Sequence, residues 1–198
     1  MSMQTWQETL MMSTVAGSSF GTFTTAKTVL PVGCLVTLPA NWWYVGRMMR
    51  VTVQGGIGTL VTTPGTITMQ HNIGAVAAFS TGAIQLNATA HTAIPFHMQT
   101  LLTCRAVGSG TSANLMGLSI LVGDMFTKTI AATTAWGRVS AADAAVSDVS
   151  LVRPATAMAV GTGFDSTAAG TLDFFTGFSV SDATNTIIIQ NYCVEALN

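Results

Sequence analysis

Charged side chains are scarce in this chain of 198 residues. Only 8% of its residues are charged, against roughly 25% in an average soluble domain. The stretch between Arg50 and Arg105 contains no Asp, Glu, Lys or Arg at all. With a formal net charge of −1, the chain lacks the basic surface that attracts a phosphate backbone. The sequence therefore predicts no nucleic-acid partner.

Long apolar runs are also missing, although hydrophobic residues make up 49% of the chain and its mean hydropathy is +0.52. A transmembrane helix needs about 20 consecutive apolar residues. Thr, Gly, Gln or Asn interrupts every window of that length. The first residues, MSMQTWQETLMM, lack the basic region of a signal peptide. We therefore predict no membrane partner and no secretion.

Cysteine is rare, and its spacing does not indicate bonding or metal binding. The three cysteines, Cys34, Cys104 and Cys193, are odd in number and far apart in the sequence. No C-x-x-C pair and no Cys/His ligand spacing occurs. Each cysteine stands among apolar or strand-forming residues, where a buried free thiol is common. We predict three free thiols and synthesis in a reducing compartment.

Residue patterns that carry catalysis or ligand binding are absent from the sequence. There is no G-x-S-x-G nucleophile motif and no glycine-rich loop with a phosphate-binding lysine. The three histidines, His71, His91 and His97, have no nearby acid to complete a metal site, so we predict that they lie at the surface or in an interface. A calcium site in the loop 161–173 is a minor alternative to an ordinary Asp turn. We predict that the protein is not an enzyme, with no catalytic residues, no cofactor and no metal.

The chain is instead rich in Thr, Gly and short segments of alternating polarity. It contains 31 Thr, which favours strands, and 19 Gly, which supplies turns. Met49, Val51 and Val53 alternate with polar residues, and the same period of two runs through PFHMQTLLTCRAV at residues 95–107. About eight to ten such segments are separated by Gly, Pro or Asn. This spacing predicts an all-β antiparallel sandwich or barrel.

The first residues differ in composition from the rest of the chain. Residues 1–29 are small, polar and weakly patterned apart from scattered apolar side chains, including Trp6, Phe20 and Phe23. Such a segment gains little by folding alone but can bury its apolar side chains in a partner. We predict an extended N-terminal arm at 1–29 and a β-domain at 30–198, with these three residues in an interface. A disordered leader is the alternative.

Three adjacent aromatic residues, Trp42, Trp43 and Tyr44, form a second candidate interface. Alternation along the chain places at least one of them at the surface. We predict that they form an interface patch together with packing at the end of the sandwich. The alternative is a platform that stacks against a carbohydrate.

The last segment, NTIIIQNYCVEALN at residues 185–198, is the most strand-like in the chain. Three successive isoleucines at 187–189 place apolar side chains on both faces of such a strand. We predict a strand with partners on both sides, paired as a hairpin with LDFFTGFSV at 172–180. We expect its outer face, with Ile188 and Tyr192 as candidate contacts, to meet a neighbouring copy of the chain.

Four parts of the sequence resemble a jelly-roll type found among tailed-bacteriophage virion proteins. These parts are LPANWWYVGRMMRVTVQGGIGT, TGAIQLN, PFHMQTLLTCRAVGSGTSANLMG and GTGFDSTAAGTLDFFTGFSVSDATNTIIIQNYCVEALN. The resemblance covers about residues 35–198, and its nearest functional class is the capsid decoration, or cement, protein. It implies a jelly-roll β-sandwich domain that forms a homotrimer on the outer capsid surface of the virion.

On this resemblance, the protein is made in the cytoplasm of the bacterial host and stabilises the shell by bridging subunits of the major capsid protein. The alternative is a head-fibre or tail-fibre module of the same fold, with a carbohydrate receptor as its partner. A third possibility is a secreted lytic or lectin-like domain. The missing signal peptide and the small number of acidic residues weigh against that third possibility.

Overall fold

A computed structural model describes residues 7–60, 62–126, 150–154 and 158–197. These residues form twelve β-strands and one 3-10 turn, Val32–Cys34. The strands are β1 (Gln7–Met12), β2 (Phe20–Gly21), β3 (Lys27–Thr28), β4 (Val36–Leu38), β5 (Met48–Thr59), β6 (Thr66–Ile73), β7 (Val76–Gln85), β8 (His91–Ala106), β9 (Asn114–Gly123), β10 (Ser150–Arg153), β11 (Gly170–Phe178) and β12 (Thr186–Leu197). None of the described residues forms a helix that is long and apolar enough to cross a bilayer.

The strands form two antiparallel sheets that pack face to face. The larger sheet has the order β1-β12-β5-β8-β9-β10, and β2 pairs with β12 on the same side as β1. The smaller sheet has the order β3-β11-β6-β7, and β4 pairs with β11 beside β3. The predicted all-β antiparallel sandwich is therefore confirmed.

The alternating residues of the sequence define the core between the two sheets. Met49, Val51 and Val53 are fully buried, and the intervening residues of β5 face outward. In β8, the predicted inner residues Phe96, Met98, Leu102 and Cys104 are all buried. The period of two thus identified the buried face of both central strands correctly.

The predicted hairpin between residues 172–180 and the last strand is wrong. β11 lies in the smaller sheet and β12 lies in the larger one, so the turn between them crosses from one sheet to the other. The buried side chain of Asn185 holds this crossing: its Nδ2 donates to the carbonyl oxygens of Pro64 and Val180, and its Oδ1 accepts from the Leu60 amide. β12 nevertheless has partners on both sides, as predicted.

The described part of the N-terminal segment supplies edge strands to both sheets. β1 and β2 pair with β12, and β3 pairs with β11. Phe23, between β2 and β3, is buried, and its ring meets Phe178 edge-on with 5.5 Å between centroids. Residues 7–29 therefore pack against the sandwich, while the division of the chain at residue 29 stays a prediction.

The three cysteines are free thiols. Cys34 and Cys104 are buried and Cys193 is half-buried within β12. Burial raises the pKa of all three thiols, which keeps them protonated and weakly nucleophilic near neutral pH.

Candidate interaction surface

The predicted interface residues lie in different environments. Trp6 lies outside the described residues. Phe23, Trp43 and Tyr192 are core residues, each less than a tenth exposed, so their side chains have almost no surface to offer a partner. Phe20, Trp42 and Ile188 are half-buried, and Tyr44 is 47% exposed. The structure thus leaves four of the eight candidates with accessible side chains.

Tyr192 is buried because β12 contains an irregularity. The register with β5 shifts between Ile189 and Asn191, so that Gln190 has no direct partner. Ile187 and Ile189 face the core before this bulge, and Tyr192 and Val194 face it afterwards. A single inserted residue reverses which face the later residues occupy.

The aromatic cluster between β4 and β5 is closed by an arginine. The Arg47 guanidinium lies 3.6 Å from the centre of the Trp42 ring and 5.1 Å from that of Tyr44, and its Nη1 donates to the Trp42 carbonyl oxygen at 2.6 Å. Trp43 meets the Trp42 ring edge-on at 4.7 Å and packs against Phe164. Because Arg47 covers one face of Trp42, that face is not available to stack against a sugar ring.

His71 is not at the surface, which corrects the prediction for this residue. It is fully buried between the sheets, and its Nε2 forms a hydrogen bond of 2.9 Å with Thr100 Oγ1 across the core. The rings of Phe79 and Phe174 lie 5.8 and 5.4 Å from its own. Burial lowers the pKa of His71 to about 3, so the imidazole is neutral at physiological pH.

The acidic residues of the loop 161–173 take part in local hydrogen bonds. Asp165 accepts from the backbone amide and the hydroxyl of Thr167, and these bonds lower the pKa of Asp165. Asp173 is buried and accepts from Thr28 Oγ1 at 2.8 Å, while burial raises its pKa. Within the described ranges no group of three or more His, Cys, Asp or Glu side chains could hold a metal ion. The arrangement of Asp165 is that of an ordinary Asp turn.

One half of the outer face of the larger sheet, over β1, β12 and β5, is polar. A row of hydrogen bonds crosses it from Ser13 to Asn191 (3.4 Å), from Asn191 to Gln54 (3.0 Å) and from Gln54 to His97 (3.1 Å). These side chains satisfy one another along the sheet surface. They link the residue that follows β1 to β12, β5 and β8 across the sheet.

A second polar row runs parallel to the first. Arg50 Nε donates to Glu195 Oε2 at 2.6 Å, and Gln7 donates to the other carboxylate oxygen. The hydrogen bond to Arg50 lowers the pKa of Glu195. The charges of this row are therefore paired within the chain, which leaves little net charge to attract a partner.

The other half of the same face, over β8, β9 and β10, carries a group of apolar side chains beside the exposed Gln99, which lies opposite Ile120. Leu101, Ile120, Val122 and Val152 are 36%, 47%, 40% and 59% exposed, and Leu118 beside them is half-buried. Leu101 lies directly opposite Leu118, and Ile120 opposite Val152, so the five side chains are contiguous. We call these five residues the apolar patch. Contiguous exposed apolar surface of this kind marks interaction sites in soluble proteins.

A cleft of about 640 Å³ adjoins the apolar patch at Val122. Its lining includes three glycines, Gly55, Gly56 and Gly123, together with Ile188. A Cβ atom on Gly55 would clash with the Ile188 carbonyl oxygen, so the close approach of β12 requires glycine there. Ile188 on β12 and Val122 of the apolar patch both line this cleft.

The apolar patch was not expected from the sequence, although a signal for it exists there. In LMGLSILVG, at residues 115–123, small or polar residues alternate with large apolar ones. Gly117 and Ser119 face the core, and Leu118 and Ile120 face outward. The Phe79 ring fills the space inside Gly117, where a Cβ would clash with it. In this part of β9 the inward-facing residues are therefore small and the outward-facing ones are large and apolar, which reverses the usual arrangement.

Comparison with known proteins does not assign the chain to a family. No protein-family model matches it, and no curated protein sequence matches it.

Proposed function

We propose that this chain is a structural virion protein of a tailed bacteriophage. In this proposal it is a capsid decoration protein that forms a homotrimer on the outer capsid surface and bridges subunits of the major capsid protein. The observation that carries the proposal is the apolar patch on the outer face of the larger sheet. The scarcity of charge and the resemblance of residues 35–198 to phage virion proteins support the same class.

We also infer that the sandwich is a jelly roll. Four strands of the larger sheet follow the order β1-β12-β5-β8, and four of the smaller sheet follow the order β3-β11-β6-β7. Among the described strands the chain changes sheet six times, from β2 to β3, β4 to β5, β5 to β6, β7 to β8, β10 to β11 and β11 to β12. This order is expected when two Greek keys form one double sheet. The strands β9 and β10 then extend the larger sheet beyond the jelly roll.

The proposed mechanism is stabilisation of an assembled state by binding. A protein that contacts two capsid subunits binds the closed shell but not the separated subunits, so it shifts the equilibrium toward the shell. At a free concentration of 100 times the dissociation constant, each bridge contributes about 2.7 kcal/mol. Apolar contact suits this role because it needs no matching charges on the capsid subunits.

The fibre module with a carbohydrate receptor is less well supported. Its candidate platform consisted of Trp42, Trp43 and Tyr44. Trp43 is buried, and Arg47 covers a face of Trp42. A sugar platform needs exposed aromatic faces, and this cluster is largely engaged in packing at the end of the sandwich.

Quantitative mass spectrometry of purified virions from the phage that encodes the chain tests the proposal. A decoration protein is expected in hundreds of copies per particle, and a fibre protein in tens or fewer. Particles made without the gene should lose their DNA at a lower temperature than complete particles. The protein's absence from purified virions, or equal heat resistance of both particle types, would contradict the proposal.

A further inference from the structure

We propose that Asn72 and Asp173 form a proton-binding pair, in which the protonated carboxyl group of Asp173 donates a hydrogen bond to Asn72 Oδ1. The inference is independent of the proposed virion role. The two residues lie directly opposite one another on β6 and β11. Opposed residues of an antiparallel pair point to the same side of the sheet, with Cβ atoms about 4.5–5.5 Å apart. Their side chains are therefore within reach of a mutual hydrogen bond.

Asp173 lies where β11 has no ladder partner among the two short strands β3 and β4. β3 pairs with β11 at residues 175–176, and β4 pairs with it at residues 170–172. Between these stretches, Asp173 Oδ1 accepts hydrogen bonds from Thr28 Oγ1 at 2.8 Å and from the Phe174 amide at 2.6 Å. One oxygen of the carboxyl group thus has two donors. Both donors leave the second oxygen, Oδ2, for a further hydrogen bond.

Asn72 supplies an acceptor that lacks a donor. The residue is only 4% exposed, and its Oδ1 is buried without a hydrogen-bond partner in the part of the chain that the structure describes. A buried acceptor without a donor costs free energy. An ionised carboxylate can only accept hydrogen bonds, whereas a protonated carboxyl group has one O–H donor. A proton on Asp173 Oδ2 would therefore give Asn72 Oδ1 the donor that it lacks.

No opposite charge holds the carboxyl group of this pair in its ionised form. It forms no ion pair with any described residue. Lys27 on β3 directs its ammonium group to the Phe23 ring, 4.4 Å from the ring centre. His71, on the core side of β6, is neutral because burial lowers its pKa, and raised pKa values keep Cys34 and Tyr192 neutral as well. β4 and β7 contain no titratable side chain.

Proton binding by the pair couples the stability of the fold to pH. Burial raises the pKa of Asp173 above its ordinary value of 3.8, and its hydrogen bonds with Thr28 and Phe174 oppose that rise. Because the folded pKa is the higher one, the folded protein binds the proton more tightly than the unfolded chain does. The stabilisation is complete below the unfolded value of 3.8 and is lost as the pH rises through the folded pKa. The pair therefore acts in the opposite direction to His71, whose burial excludes a proton.

The first test is a carboxyl ¹³C NMR titration of Asp173 in the full-length chain and in its Asn72→Leu variant. Leucine has the same branching as asparagine but accepts no hydrogen bond, so the pKa of Asp173 should lie above 3.8 in the wild type and fall in the variant. The pKa of exposed Asp182 should be the same in both proteins. A rise in the variant would mean that the Asn72 amide donates to an ionised carboxylate, and no change would mean that the two side chains do not meet. Either result overturns the inference, as does a wild-type pKa at or below 3.8.

A second variant, Asp173→Asn, imitates the protonated pair and keeps the test decisive if Asn72→Leu does not fold. Its amide oxygen can accept the same two hydrogen bonds, and its Nδ2 can donate to Asn72 Oδ1. At pH 7.5 this variant should unfold at a higher urea concentration than the wild type, and the difference should shrink as the pH falls toward about 4. The control Asp182→Asn should gain no stability, because hydrogen bonds with Thr184 favour the ionised form of that exposed carboxyl group. A midpoint of Asp173→Asn at or below that of the wild type at pH 7.5 would overturn the inference.

Discussion

The buried imidazole of His71 predicts that acid destabilises this protein at a higher pH than the protonation of Asp165, Asp182 and Glu195 does. His71 is neutral in the folded protein, with a pKa of about 3, and its pKa in the unfolded chain is near 6.5. Because the folded pKa is the lower one, the unfolded chain binds a proton that the folded protein excludes. The stability is therefore complete above pH 6.5 and is lost as the pH falls from 6.5 toward 3.

The size of the loss follows from the two pKa values. Each pH unit between them lowers the free energy of unfolding by about 1.4 kcal/mol. At pH 5 the loss is about 2 kcal/mol relative to pH 7.5, out of a total of about 5–15 kcal/mol for a domain of ordinary stability. The Phe79 and Phe174 rings pack against the imidazole, and removal from water disfavours its charged form.

The pH range separates this effect from that of the acidic residues. Hydrogen bonds lower the pKa values of Asp165, Asp182 and Glu195, so their contribution also disappears in acid. That loss begins only near the unfolded values of 3.8–4.5. The burial of Asp173 raises its pKa, so its protonation opposes the loss. Between pH 7.5 and 5, the change in stability should therefore be dominated by histidine.

The assay is urea unfolding at pH 7.5 and at pH 5, followed by tryptophan fluorescence. The double variant His71→Phe/Thr100→Val removes the titrating group and its hydroxyl partner while retaining similar shapes, so its unfolding midpoint should be nearly the same at both pH values. The control variant His97→Gln, on the outer face, should keep the wild-type loss of about 2 kcal/mol. A wild-type loss below about 0.5 kcal/mol, or an unchanged loss in the double variant, would refute the reasoning.

Three further predictions concern packing, thiols and the sheet edge. Gly117→Ala should lower the free energy of unfolding by about 1–3 kcal/mol, because the added Cβ would clash with the Phe79 ring. The control variant Gly33→Ala should change thermal unfolding little, since nothing lies within 4 Å of the added atom. Thiol titration should find three free thiols in the denatured protein, and in the native protein half-buried Cys193 should react first; a single titratable thiol after denaturation would disprove this. Deletion of residues 2–12 should leave a folded sandwich that aggregates faster on heating, because it uncovers the paired edge of β12, and equal aggregation rates would argue against it.

The residue-by-residue alternation of polarity was enough to predict the class of fold and much of the core. Met49, Val51 and Val53 could be assigned to one face from the sequence because neighbouring side chains of a strand point to opposite sides whatever lies around them. The same local rule placed Cys104 in the core and put apolar side chains on both faces of residues 187–189. These properties depend only on backbone geometry and on the types of adjacent residues.

The remaining features depend on contacts between residues that are distant in the sequence, and only the tertiary structure decided them. The turn before β12 reads as a hairpin, yet it crosses between the sheets because Asn185 bonds to residues far away at 60 and 64. His71 is polar and was expected outside, but Thr100 on the opposite sheet satisfies its Nε2 and two Phe rings surround it. The small residues Gly117 and Ser119 occupy the inner face of β9, where the Phe79 ring fills the space beside Gly117. Leu118 and Ile120 therefore face outward and contribute to the apolar patch. A local pattern records which residues share a face, whereas the partner of that face is set by long-range packing.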